Sequence, residues 1–163
     1  MGDLDQLVVL IGAYDVARWL SRVPYPYGSR DGEDFITATG MGLTDSGELI
    51  YAIADPANDA LMGGVGLIFG VGGVELGYWM GEPYHGQGYA REAVSAVLDL
   101  AFGAFELPHV FANVRAENAP SRRLLETLGF REKGEASIYQ MVEKRYVMGP
   151  HYELVRDHWR AAP

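Results

Sequence analysis

Between residues 88 and 105 apolar side chains recur at helical spacing: Ala90, Ala93, Val94, Val97, Leu98, Ala101 and Phe105, with Glu92, Ser95 and Asp99 opposite. The preceding chain follows a different rule. "LIYAIAD" (49–55), "MGGVGLIF" (62–69) and "VELGYWM" (74–80) are short strand-like runs, separated by the turn-forming "PAND" and "GVGG". The change of period falls at "HGQGYAREA", residues 85–93. It predicts three antiparallel strands joined by hairpins and feeding one long helix, an α+β arrangement.

The flanks extend that pattern. Leu4 to Leu20 reads as helix with a break near Gly12 and Ala13, and Val16, Trp19 and Leu20 share a face of its second piece. "VPYPYGS" is a loop because Pro24 and Pro26 cannot continue a helix. A third helix is expected from about Arg30 to Met41, with Phe35 and Ile36 inward. "HVFANVR" (109–115) reads as a buried strand, and a helix from Ala119 to Leu128 stops at Gly129. "HYELVR" (151–156) is a closing strand. With 163 residues, no repeats and no linker, the chain is expected to form one domain over 1–163.

Composition excludes several chemistries. There is no cysteine, so disulfides, thiolate metal sites and a cysteine nucleophile are ruled out. Four scattered histidines suggest no metal site. The net charge of −9, from 22 acidic and 13 basic side chains, disfavours nucleic acid and modestly favours a cationic partner such as an amine. The early apolar run Leu7–Ala13 is too short to span a bilayer, so no membrane partner and a cytoplasmic location are expected.

The chemistry concentrates where the period changes. Gly86 and Gly88 flank Gln87 just ahead of the long helix, where several backbone N–H groups lack intrahelical partners and the helix dipole favours an anion. Such a loop suits a pyrophosphate, but it is also a common tight connection. The dinucleotide pattern G-x-G-x-x-G fails because Arg91 occupies the third glycine position, and no G-K-[ST] is present for a P-loop.

"ELGYWMGEPYHGQGYAREAV", followed by "NVRAENAPSRRLLETLGFREKG", resembles the GNAT superfamily of acyl-CoA-dependent N-acetyltransferases, in the branch similar to the ribosomal-protein alanine N-acetyltransferases. "VARWLSRVPYPYGSRDGEDFI" and "YELVRDHW" resemble that branch's early helical segment and closing strand. His85, Gly88 and Ala90 stand at the fixed positions of its pyrophosphate loop, [QR]-x-x-G-x-[GA], with His85 a departure. The strand with which the family usually opens has no counterpart before the first helix.

The resemblance implies a central mixed, mostly antiparallel sheet flanked by helices, with "VELGYWM" and "HVFANVR" as parallel strands that splay to hold CoA. It implies acetyl-CoA as co-substrate and an amine, either a small molecule or a protein N-terminus, as acceptor. A homodimer is a further possibility, and the alternative function is a non-catalytic acyl-CoA-binding module of the same fold. A nucleotide-binding protein using the same cradle is a third class. The cofactor-binding candidates are Trp79, Met80, His85, Gly86, Gln87, Gly88, Tyr89, Ala90, Arg91, Asn118 and Ser121. A bulge at Trp79–Met80 is expected to aim one N–H at the thioester oxygen.

The catalytic candidates are Ser121, Glu82 and Glu75. An amine attacks only when neutral, so a base must take its proton and an acid must supply the leaving thiolate. Ser121 matches the family serine that faces the CoA sulfur. Glu75 and Glu82 are the carboxylates nearest in sequence to the reacting end, and alternation places Glu75, Gly77 and Trp79 on one face, with Leu76, Tyr78 and Met80 on the other. Where the related branch has a carboxylate assigned as base, this chain has Gln140, with Glu143 nearby. Asn118 serves equally as a helix cap and as a cofactor contact; Tyr152 is a further candidate acid, with core packing the better explanation of it, and His109 reads as structural. Acceptor choice is expected to lie around "VPYPYGS" and 139–150.

Overall fold

The three runs before residue 81 form a meander in the computed structural model, which describes residues 3–40, 42–44 and 47–159. Strand β1 (Glu48–Ala54) pairs antiparallel with β2 (Leu61–Gly70), and β2 with β3 (Gly73–Met80). Local turn chemistry closes both hairpins. In the first, the carboxylate of Asp55 accepts from Ala57 N–H at 2.8 Å and the Asn58 amide oxygen accepts from Ala60 N–H at 3.0 Å. The second is a two-residue turn between the paired Gly70 and Gly73.

Three strands follow the meander and its helix: β4 (His109–Asn113), β5 (Arg131–Gln140) and β6 (Arg145–Val155). The six-stranded order is β1-β2-β3-β4-β6-β5, antiparallel except where β3 meets β4. This is the expected mixed, mostly antiparallel sheet. The expected "HVFANVR" strand ends two residues early, at Asn113.

Helices cover both faces. On one lie α1 (Leu4–Gly12), the short α2 (Tyr14–Ala17) and α3 (Ser29–Thr39), and Leu7, Ile11 and Leu61 pack there with the half-buried Phe35, Ile36 and Trp79. The break between α1 and α2 falls at Ala13, whose ψ of 129° leaves the helical region. Helix α3 ends at Thr39 with Gly40 as its cap, and Met41, the last residue of the expected helix, lies outside the described residues. Helix α1 is the first element of the described residues.

The other face carries α4 (Tyr89–Asp99) and α5 (Ala119–Thr127), packed through Val94, Val97, Leu98 and Leu125 onto Leu67, Leu76, Val110 and Tyr152. Gly129 follows α5 at φ +93°, the left-handed conformation expected of a terminating glycine.

One inward residue was misplaced by the helical period. After Asp99 the chain makes a wider π turn over Leu100–Ala104, with Phe105 N–H donating to Leu100 O at 3.1 Å. The extra residue rotates the face, so Phe102 is 6 % exposed and Phe105 is 42 % exposed. Phe105 instead meets the edge of Phe69, with centroids 6.1 Å apart. Phe102→Ala is therefore expected to cost about 3–5 kcal/mol in chemical denaturation. Phe105→Ala should cost only about 0.5–1.5 kcal/mol, the worth of an edge contact; equal losses would contradict the rotated face.

Candidate active site

Strands β3 and β4 are joined by a single register pair, Glu75 with Phe111. On their outer sides each stays in register, β3 with β2 as far as Met80 and β4 with β6 as far as Asn113 opposite His151. The two strands therefore part beyond Glu75, as expected of the splayed pair. The expected bulge at Trp79–Met80 is absent, because the β2–β3 register is unbroken there. Divergence alone opens the gap.

A cavity of about 1120 Å³ occupies it. Residues from both faces of β3 line it, Glu75 and Trp79 as well as Leu76, Tyr78 and Met80, so it passes through the sheet. The indole of Trp79 lies against Gly64 on β2, where a Cβ would stand 2.6 Å from Trp79 Nε1. Only glycine leaves that place for the ring.

At one end stands the glycine loop. Gly86 and Gly88 have φ of +74° and +90°, a Cβ on either would meet nothing within 4 Å, and both line the cavity. Their need is conformational, and the space above them is open to a ligand. Gly88 offers α4 no side-chain cap, and the first helical turn bond runs from Glu92 N–H to Gly88 O at 3.1 Å. The N–H groups of Tyr89, Ala90 and Arg91 precede that bond and face the loop. Ala90 and Arg91 line the cavity, joined by Arg123 from α5, which the sequence did not single out.

Other loop side chains turn elsewhere. His85 Nε2–H donates to Met80 O at 2.8 Å, tying the loop to the end of β3. The Gln87 amide donates to Pro83 O at 2.9 Å, and Tyr89 packs toward the core and a second, smaller groove. Gln87 and Tyr89 bring backbone to the site, not side chains.

From α5 come Asn118 and Ser121. Asn118 Oδ1 accepts from Ser121 N–H at 3.3 Å, which realises the cap. Ser121 Oγ lies 2.7 Å from the Tyr78 hydroxyl. Burial pushes the Tyr78 hydroxyl up to about 12, with the Ser121 hydrogen bond acting against that rise. Tyr78 was not among the sequence candidates; its strand face was legible, but not the helix that covers it.

The carboxylates separate by environment. Glu75 is half-buried, and its Oε1 accepts from Asn113 Nδ2 at 3.0 Å. Glu82 is exposed at the cavity wall, as the first residue of the turn Glu82–Tyr84. Gln140 is fully buried, its Oε1 accepting from Arg115 Nη1 at 3.3 Å. The same Nη1 donates to Glu143 Oε1 at 2.6 Å, and Arg145 Nε donates to Glu143 Oε2 at 2.7 Å. Those two guanidiniums, Arg115 first, hold the Glu143 carboxyl below the usual carboxylate range and make it a poor base.

Tyr152 is fully buried, donating to Glu126 at 2.9 Å, in keeping with a packing role. Beyond Trp79 the cavity wall carries Asp15, Asp31, Asp34 and Trp19. Glu48 also lines it and is paired with Arg22. Among the described residues no group of three or more metal-ligating side chains comes together, and no helix is long and apolar enough to cross a membrane.

Comparison with known proteins places this geometry. The family profile described as an acetyltransferase (GNAT) domain matches residues 2–131. An uncharacterized N-acetyltransferase, p20 of Bacillus licheniformis, is 36 % identical over 88 residues, 54 % of this chain and 49 % of the relative. The chain thus matches about half the length of that relative. Among solved structures, an acetyltransferase (GNAT family) from Bacillus anthracis superposes with a TM-score of 0.80 at 20 % identity, covering 96 % of this chain and 90 % of that one. A variant of the spermidine N-acetyltransferase SpeG from Vibrio cholerae gives 0.73 at 22 % identity, covering 96 % and 91 %. At such identities the likeness speaks for the fold.

Proposed function

The chain belongs to the acetyltransferase (GNAT) domain family, and from that premise we propose that it is an enzyme transferring an acetyl group from acetyl-CoA to a primary amine, small molecule or protein N-terminus, by direct attack. The observation that carries this reading is the through-sheet cavity, with the glycine loop at one end and the Glu75 carboxylate on its wall. We take residues 1–163 to act as one domain.

The residues present fit the co-substrate. Gly86, Gly88 and the N–H groups of Tyr89, Ala90 and Arg91 would hold its pyrophosphate, with Arg91 and Arg123 as counter-charges. The facing edges of β3 and β4 beyond Glu75 offer unpaired backbone to an extended arm, and Trp79 and Met80 border the reacting end. Acetyl-CoA supplies an acyl group activated as a thioester. Glu75 Oε2 accepts the proton that the amine sheds, directly or through water, as the new C–N bond forms. As the C–S bond breaks, Ser121 Oγ–H donates a hydrogen bond to the developing thiolate, Tyr78 O–H donates to Ser121 Oγ, and the released thiolate takes its proton from solvent while Glu75 returns the amine proton to solvent. The acidic wall from Asp15 to Asp34 supports a cationic acceptor.

Calorimetry with acetyl-CoA, and CoA release over a panel of amines, test the reading. Binding and turnover on at least one amine are expected. Absence of binding at millimolar acetyl-CoA defeats the proposal, and tight binding without transfer to any amine leaves an acyl-CoA-binding module. NAD and ATP should fail to displace the ligand.

His85 acts here through its bond to Met80 O. His85→Ala is expected to weaken acetyl-CoA binding about three- to tenfold, the worth of one hydrogen bond. His85→Gln, which keeps a donor, should lose less. Equal losses would reduce the residue to its backbone.

A further inference from the structure

We propose that Asn113 and His151 are positioning residues that hold the Glu75 carboxylate in place for proton transfer, so that the working unit extends across three strands. This rests on the acetyl transfer proposed above. Glu75 on β3, Asn113 on β4 and His151 on β6 form one row on a single face of the sheet. Asn113 stands two residues beyond Phe111, the register partner of Glu75, and is itself directly opposite His151.

The hydrogen bonds run in one sense. A carboxylate only accepts, so Asn113 Nδ2–H donates to Glu75 Oε1 at 3.0 Å. The amide oxygen is then the acceptor left for His151, and His151 Nδ1–H donates to Asn113 Oδ1 at 2.8 Å. This fixes the imidazole tautomer. Phe111 packs against the ring of His151, with centroids 5.3 Å apart, and limits its rotation.

The row lies where backbone support ends. Glu75 stands at the single β3–β4 register pair, with Phe111, and past that pair no ladder joins the two strands on the cavity side. Asn113 supplies a side-chain link there from the cavity wall, and His151 stands behind it. An amide between two polar groups passes on orientation, not a proton. It engages Oε1 and leaves Oε2 to the amine.

The test uses turnover, acetyl-CoA binding and a signal independent of both. With the wild type active, Asn113→Leu is expected to lower kcat about 10- to 100-fold, in line with the cost of a small misplacement of a reacting group. Acetyl-CoA affinity should be unchanged. His151→Leu should do the same to a lesser degree, while His151→Asn, which keeps a donor near the Nδ1 position, should recover activity. Nitrogen-15 NMR of histidine side chains should find the Nδ1–H tautomer at His151 in the wild type and its loss in Asn113→Leu.

Wild-type kcat in Asn113→Leu, or an Nε2–H tautomer at His151 in the native protein, overturns the positioning role while leaving acetyl transfer standing. An inactive wild type that keeps the Nδ1–H tautomer defeats the transfer reading itself and reduces the row to a strand link.

Discussion

Glu75→Gln is expected to lower kcat by about 10²- to 10⁴-fold, the usual contribution of a positioned general base, while acetyl-CoA still binds with native affinity. The substitution keeps the shape of the side chain and an oxygen that can accept from Asn113, so the fold and the β3–β4 link should survive. It removes the ability to take a proton. Glu82→Gln should have a far smaller effect, because that carboxylate is exposed and lacks the fixed partner that Glu75 has in Asn113. Glu143→Gln should cost stability around Arg115 more than turnover, since both of its oxygens are engaged by arginines. Single-turnover transfer, measured beside calorimetric binding, separates these outcomes. Near-native turnover in Glu75→Gln with a severe loss in Glu82→Gln would move the base to the cavity mouth.

What the sequence disclosed followed its local patterns. Helix α4 was legible because five apolar positions, Ala90, Ala93, Val94, Val97 and Leu98, repeat within one element, and the hairpins because Asp55, Asn58 and the Gly70–Gly73 turn act over a few residues. The glycine loop was legible for the same reason. Strand β5 was not foreseen: Arg131, Glu132, Lys133 and Glu135 are exposed along a sheet edge, so it carries no apolar alternation to detect. Phe105 misled because one π turn shifts the helical phase without any residue that announces it.

The site divides in the same way. Candidates on contiguous segments, from Trp79 to Arg91 and from Asn118 to Ser121, could be named, although the directions taken by Gln87 and Tyr89 could not. The pairs Tyr78–Ser121 and Glu75–Asn113 are 43 and 38 residues apart in the chain, and each depends on how β3 sits against a later element. Gln140 was noticed as an amide at a position of interest. Its complete burial against Arg115 depends on the β5–β6 hairpin, and so was illegible locally.

Ser121→Ala is expected to lower kcat about 100-fold or more, and to change acetyl-CoA affinity little, because the hydroxyl acts on the leaving group and the backbone cap at Asn118 is retained. Tyr78→Phe should lower kcat less, since Tyr78 works only through Ser121 Oγ, and the double variant should be no slower than Ser121→Ala alone. Stability should follow another order. Ser121→Ala leaves the Tyr78 hydroxyl with only the long contact to Ser121 O, at 3.4 Å, and should cost about 1–3 kcal/mol; the double variant removes that hydroxyl and should regain part of the loss. The proton on Tyr78 gives a further check. Its titration is raised from 10.0 to about 12 in the folded protein, so the native state binds more protons than the unfolded chain in that window, and stability should fall as pH rises through it. Tyr78→Phe should flatten that fall. A double variant both slower and less stable than Ser121→Ala would mean that Tyr78 reaches the reaction by a route other than the serine.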